Sequence, residues 1–208
     1  MEVIDKNPET LFSINMPTIH RKEEDDISNE NVMKILKEIK SSRDFAIVSF
    51  MLYNGLRRSE ICNMKFGDID KKDKTNILNI IGKGDKLRTV VIHKVSWIAL
   101  MKYLKDSGKI GNQKKDSYIF TTIHGKKLCG NDIYNVIKKY AAHAGLSKIH
   151  PHMFRAKYAS MAIEAGVPIT SVQYTMGHAS IETTAIYDHA KRSVERGKEV
   201  SKGIKEIQ

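Results

Sequence analysis

Residues 76–92 break the helical rhythm that the rest of this chain keeps. Before them, apolar residues recur at three- and four-residue spacing, as in Val32, Ile35, Leu36 and Ile39, the pattern of a helix that buries one face. Within them, Asn76-Ile77-Leu78-Asn79-Ile80-Ile81 and Leu87-Arg88-Thr89-Val90-Val91-Ile92 are short β-branched-rich runs on either side of Gly82-Lys83-Gly84-Asp85-Lys86. Two such runs around a glycine-bearing connection form a hairpin. A chain with one early hairpin and helices elsewhere is confined to an α+β fold, mainly helical: a helix bundle with a small antiparallel sheet. Tyr118-Ile119-Phe120-Thr121 is the expected edge strand, making that sheet three-stranded.

Start and stop signals place the helices. Ser28 caps the first; a more apolar second helix runs over 45–52 and stops near Gly55; Ser59 to Met64 makes a short third,. Another spans about Val95 to Leu104, and from about Asn131 the chain is helical again. Gly145 ends one helix there, Pro151 opens another, and Pro168 starts a third at the tolerated first-turn position,. Residues 1–27, interrupted by Pro8 and Pro17 and ending in Glu23-Glu24-Asp25-Asp26, read as an irregular lead-in or linker.

Composition narrows the partners. Apolar residues make up 41% of the chain, enough to bury a core. No run approaches the roughly 18 apolar residues of a membrane helix, and no signal peptide opens the chain, so the expectation is a cytoplasmic protein with no membrane partner. Cys62 and Cys129 have no metal-site spacing and read as reduced thiols,. The net charge is +11, and the acidic run near the start leaves the body more basic than the average. A basic body favours a polyanion, and nucleic acid is the commonest in the cytosol; a lysine-rich solvated surface is the plainer explanation.

Four distant segments put polar groups where a helix or turn begins: Gly55-Leu56-Arg57-Arg58-Ser59-Glu60, Gly82-Lys83-Gly84, Pro151-His152-Met153-Phe154-Arg155, and Met176-Gly177-His178 with Thr183-Thr184-Ala185-Ile186-Tyr187 beyond. Singly, each has an ordinary explanation as a surface charge, a solvated turn, a helix-face hydrogen bond or a packed tyrosine. In order and spacing they resemble the tyrosine recombinase family of phage integrases and Xer recombinases, over about Ser28 to His189. The resemblance implies that family's catalytic fold over residues 28–189. It also implies the activity, site-specific DNA recombination or integration for a mobile element, through a 3′-phosphotyrosyl intermediate. The catalytic set it implies is Arg57, Lys83, His152, Arg155, His178 and Tyr187, with Glu60 orienting an arginine or bonding backbone.

Those residue types suit the chemistry. Cutting a phosphodiester without a metal needs an in-line nucleophile, cations around the non-bridging oxygens and an acid for the leaving 5′ oxygen. Arg57 and Arg155 offer guanidinium forks that match phosphate, and His178 can donate a further hydrogen bond. Tyr187, with a reference pKa of about 10, needs an acceptor and positive charge nearby to attack; His152 is the candidate base or relay. Lys83 can act as general acid. Only the family's register selects Arg57 over Arg58, and Lys86 and Arg88 compete with Lys83. No cofactor is expected: the covalent link conserves the bond energy, no GxxxxGK[ST] loop is present, and no carboxylate cluster suits Mg²⁺. Asp68 and Asp70 are read as shaping the turn into the sheet, and histidines 150, 152, 178 and 189 are weak evidence for zinc,.

The expected partner is double-stranded DNA, held by a homotetramer, with a monomer when alone; accessory DNA-bending proteins fit the same picture. The family's N-terminal core-binding domain is expected to be absent here, leaving weak, salt-dependent binding through phosphates. Residues 190–208 read as a basic helical tail. In the family such tails dock on a neighbouring protomer; for this chain alone the expectation is a frayed, solvated terminus. Two rivals share parts of the pattern: a type IB topoisomerase-like relaxing enzyme and a non-catalytic DNA-binding regulator. The target sequence and the kind of element are not legible, nor is whether the tyrosine attacks in its own protomer; attack in cis follows by analogy.

Overall fold

The most apolar stretch of the chain becomes its central helix. In the computed structural model, which describes residues 27–82, 87–111, 113–177, 198 and 201–204, helix α2 (Ser42–Asn54) buries Ala46 through Asn54 without a break. A helix apolar on every side must be surrounded, and α2 packs against α4 (Lys94–Asp106) on one side and α6 (Pro151–Glu164) on another. Helix α1 (Asn29–Glu38) turns one stripe, with Val32 and Ile35, inward toward α5 (Gly130–His143). Short helices α3 (Arg58–Asn63) and α7 (Ile169–Met176) complete the bundle. No helix among the described residues is long and apolar enough to cross a membrane.

Local chemistry sets the helix ends much as the sequence indicates. The Ser28 hydroxyl accepts from the Asn31 amide at 3.2 Å, and Gly55 closes α2 in the left-handed region at φ +62°. Pro151 stands at the first turn of α6. Pro168 differs by one place, capping α7 from outside so that the helix starts at Ile169. Asp68 accepts from the Lys65 amide and Asp70 from the Lys71 amide, each at 2.7 Å, on the way into the sheet.

The sheet is antiparallel, three-stranded and ordered β1-β2-β3, but its third strand is not the expected one. Strand β1 is Ile69–Lys72, paired with β2 (Thr75–Ile81), which pairs in turn with β3 (Leu87–Val91). Asp73 and Lys74, at φ +48° and +63°, close the β1–β2 hairpin. Two successive positive φ values match the twist of the flanking strands, so the pairing forms without glycine. Tyr118 makes only one bridge, to Lys65, and Thr121 one to Lys127. That segment holds Ile119 and Phe120 in the core, beside the end of α3, and adds no strand to the sheet.

The described residues nearest each end differ from expectation. Ile27, the last residue of the expected lead-in, is buried in the core; residues 1–26 lie outside the described residues. At the other end, residues 201–203 are helical and Ile204 is buried. The Ile204 carbonyl lies 3.3 Å from His93 Nε2. A Cβ on Gly203 would stand 2.8 Å from a Val167 methyl, so the backbone itself seats against the body. This part of the tail is docked, because an isoleucine that finds an apolar seat gains roughly 1.5–3 kcal/mol over one left in water.

Candidate active site

Gly55 begins the site. Its left-handed turn ends α2 and swings the chain so that Leu56 is buried and Arg57 caps α3. Nothing larger fits there, because a Cβ on Gly55 would lie 2.5 Å from Cδ1 of the buried Tyr158 ring. Arg57 is then fastened twice from its fork: Nη1 donates to Glu60 Oε1 at 2.9 Å and Nη2 to the Gly177 carbonyl at 2.8 Å. Its backbone amide donates to Glu60 Oε2, also at 2.8 Å.

Arg155 arrives from the opposite side. It follows Pro151 and His152 by one helical turn on α6 and is 3% exposed. Its Nη1 donates to the Gly55 carbonyl and its Nη2 to the Met176 carbonyl. Both acceptors are peptide oxygens, which orient the guanidinium without cancelling its charge. Burial, and then the facing charge of Arg57, bring the Arg155 pKa down to about 9,. It therefore stays cationic at neutral pH, as a buried charge short of an anion.

A third arginine lies beneath. Arg88, on β3, is buried and makes a two-pronged pair with Glu60, Nη1 to Oε1 at 2.9 Å and Nη2 to Oε2 at 2.8 Å. Its Nε donates to the Thr175 carbonyl at 3.0 Å. Glu60 thus accepts four hydrogen bonds, the capacity of one carboxylate. Burial alone would raise its pKa, but the bonds and charges of Arg88 and then Arg57 outweigh it and hold Glu60 below the ordinary carboxylate value.

Above them, Arg57 and Arg155 border a cleft of about 620 Å³ that is also lined by Arg58, Tyr134, His150 and His152, among others. His152 is exposed at its edge. Arg58 reaches the cleft too, with its guanidinium 5.9 Å from the Tyr134 ring centre and Nη1 3.4 Å from the Gly130 carbonyl. Arg57, Arg58, Arg88 and Arg155 bring four guanidiniums to this region against the one carboxylate of Glu60, a surplus of positive charge that suits a phosphate-sized anion,. Among the described residues, no three His, Cys, Asp or Glu side chains gather closely enough to hold a metal ion.

The structure brings together part of the expected set. Arg57, His152 and Arg155 border one cleft, and Glu60 bonds both the Arg57 fork and the Arg57 backbone. Lys83, His178 and Tyr187 lie outside the described residues, as does Lys86. Arg88, weighed beside Lys83 as a proton donor, is instead a buried partner of Glu60. Its signal was strand parity: it shares the inward face of β3 with Val90 and sits opposite Ile80.

Comparison with known proteins adds a family pattern to this geometry. Residues 25–193 match the model of the phage integrase family. A tyrosine recombinase of Agathobacter rectalis is 34% identical over 155 residues, covering 74% of this chain and 50% of that protein. The XerD recombinase of Listeria monocytogenes is 32% identical over 171 residues, 78% of this chain and 57% of that one. Among solved structures, a XerA recombinase superposes with a TM-score of 0.65 at 30% identity, covering 81% of this chain and 63% of that one. A XerH recombinase in a pre-cleavage complex with its difH substrate gives 0.62 at 25% identity, covering 74% and 47%. The chain spans about half the length of the curated relatives it matches.

Proposed function

This chain belongs to the phage integrase family, and we propose that it is the strand-cleaving domain of a site-specific tyrosine recombinase acting on double-stranded DNA. The observation that carries the reading is the pair Arg57 and Arg155, brought to one cleft and fastened largely to peptide carbonyls, so that their charge remains available to a phosphodiester. Fixed cations at that place stabilise the charge that builds on the non-bridging oxygens in the transition state. Tyr187 attacks the phosphorus, its proton passing to His152 or to solvent. The 5′ oxygen leaves with a proton from Lys83, and His178 donates to a non-bridging oxygen. The DNA is left joined to Tyr187 through its 3′ phosphate, and attack by a second 5′ hydroxyl reverses the step without a nucleotide or a metal.

In this proposal the catalytic domain extends over residues 28–189, with Ile27 and Ile204 of the flanking segments packed into its core. Four copies act together on two DNA sites, each tyrosine in its own protomer's site, and the chain is monomeric without DNA. Cytoplasmic location follows from the substrate. The XerH complex with difH supports DNA as the partner by likeness.

The test works without knowing the target sequence. The chain is incubated with nicked duplexes of randomised core sequence, and protein–DNA adducts surviving denaturation are isolated and sequenced. A site-dependent adduct, absent in Tyr187→Phe while DNA binding is retained, is the expected result. Specific binding with no adduct would favour a regulator, and relaxation of supercoils at any sequence would favour a topoisomerase.

A further inference from the structure

Arg88 is the one arginine of this cluster that does not line the cleft. It is buried, both prongs of its fork hold Glu60, and its Nε holds the carbonyl at the end of α7. It also presses on the turn that follows, since a Cβ on Gly177 would stand 2.9 Å from Arg88 Nη1. A buried ion pair is a weak stabiliser, because desolvating both charges offsets their attraction and a packed apolar pair often does as well. The balance of charge points to a different use.

Glu60 fastens Arg57, from Nη1 to Oε1 and through the Arg57 amide. A lone carboxylate in that position would also cancel the Arg57 charge and draw its fork away from the cleft. Arg88 occupies both oxygens of Glu60, so Glu60 and Arg88 cancel each other. Arg57 keeps a single side-chain bond to the carboxylate and a second bond to the uncharged Gly177 carbonyl. We propose that Arg88 is a positioning residue for strand cleavage: as counter-ion to Glu60, it lets Glu60 orient Arg57 without neutralising it. This rests on Arg57 being a phosphate ligand, and it goes further by assigning the source of that ligand's free charge.

The test separates charge from packing. Inorganic sulfate, a tetrahedral dianion, is titrated into the full chain and its dissociation constant is read by NMR for wild type, Arg88→Met, Arg57→Ala and Glu60→Gln/Arg88→Met. Losing Arg88 alone leaves Glu60 to neutralise Arg57, and sulfate binding is expected to weaken about 10-fold, the scale of one charged hydrogen bond. Removing Glu60's charge as well is expected to bring affinity back to within about 3-fold of wild type. A double variant as weak as Arg88→Met would overturn the proposal, and the double variant also avoids an unpaired buried carboxylate that could unfold the single one.

The cleavage step gives a second reading. At saturating nicked DNA, Arg88→Met is expected to form adduct about 100-fold more slowly, with little further loss in the Arg57→Ala background. On a duplex whose scissile phosphate is an uncharged methylphosphonate, the same substitution is expected to cost under about 5-fold, since there is no anion left for Arg57 to meet. Equal losses on both duplexes would mean disrupted packing and would sink the idea. Absence of adduct in the wild type would indict the recombinase reading and leave the sulfate series to decide Arg88.

Discussion

Replacing Gly55 by alanine should injure this protein twice over, and the two injuries can be measured apart. The first is conformational: at φ +62° an L side chain costs about 1–2 kcal/mol. The second is steric. The new Cβ would meet Tyr158 Cδ1 at 2.5 Å, Cε1 at 2.8 Å and Cγ at 3.0 Å, and Tyr158 is only 1% exposed with no room to retreat. Overpacking of that kind costs about 1–3 kcal/mol, so the whole penalty is about 2–5 kcal/mol. At about 2–4 °C per kcal/mol for a chain of this size, Tm should fall by roughly 5–20 °C. Gly145→Ala is the control, because it has φ +73° and nothing within 4 Å of its Cβ; it should lose only the conformational part. Urea unfolding followed by far-UV circular dichroism gives both free energies, and the difference between them is the Tyr158 clash. If the two variants lay within about 0.5 kcal/mol of each other, the resolution expected of independent sites, the claim that Gly55 exists to admit the tyrosine ring would fail.

Other consequences can be checked with the same protein. Glu60 has a folded pKa below its ordinary value of 4.5, so its contribution to stability is complete above that pH and fades as pH falls through the lower folded value; wild type should lose stability below pH 4.5 more steeply than Glu60→Gln, and parallel curves would contradict the pairing. Arg58→Ala should weaken DNA binding and reduce the slope of log affinity against log salt by about one phosphate contact, as read by fluorescence anisotropy; an unchanged slope would return Arg58 to solvent. Burial, the largest influence, pushes the Cys62 thiol up to about 11, whereas Cys129 is exposed. A thiol reagent at pH 8 should therefore label Cys129 at once and Cys62 only on unfolding, and equal rates would show that the α3 region opens.

What the sequence disclosed depended on how local the physics was. Ser28, Gly55 and Pro151 announce helix ends through their own side chains or lack of one, and the structure places them accordingly. Arg57 and Arg155 were legible only through the order and spacing of the family's motifs, since each alone reads as a surface charge or a helix-face hydrogen bond. Strand β1 was not, because Ile-Asp-Lys-Lys has neither β-branched density nor a glycine in its turn. Its pairing is decided by the register against β2, a partner that no window on residues 69–72 contains. Tyr118 to Thr121 misled for the opposite reason: its composition fits a strand, yet burial of Ile119 and Phe120 beside α3 uses that composition in the core. Arg88 lay within a correctly read strand but was weighed as a rival to Lys83; strand parity turns it inward, and the carboxylate that pairs its charge there lies 28 residues away.

Gly55, Met176 and Gly177 hold the two cleft arginines with atoms that no codon specifies. A peptide oxygen is present whatever residue carries it, so a mutation that removes Arg155 leaves both of its acceptors in place, whereas Arg57 also depends on the Glu60 side chain. A descendant that had lost Arg155 would still inherit the place prepared for it. Reversion would then take one codon and no rebuilding of the surroundings, so dormant copies of such a domain should be unusually easy to wake.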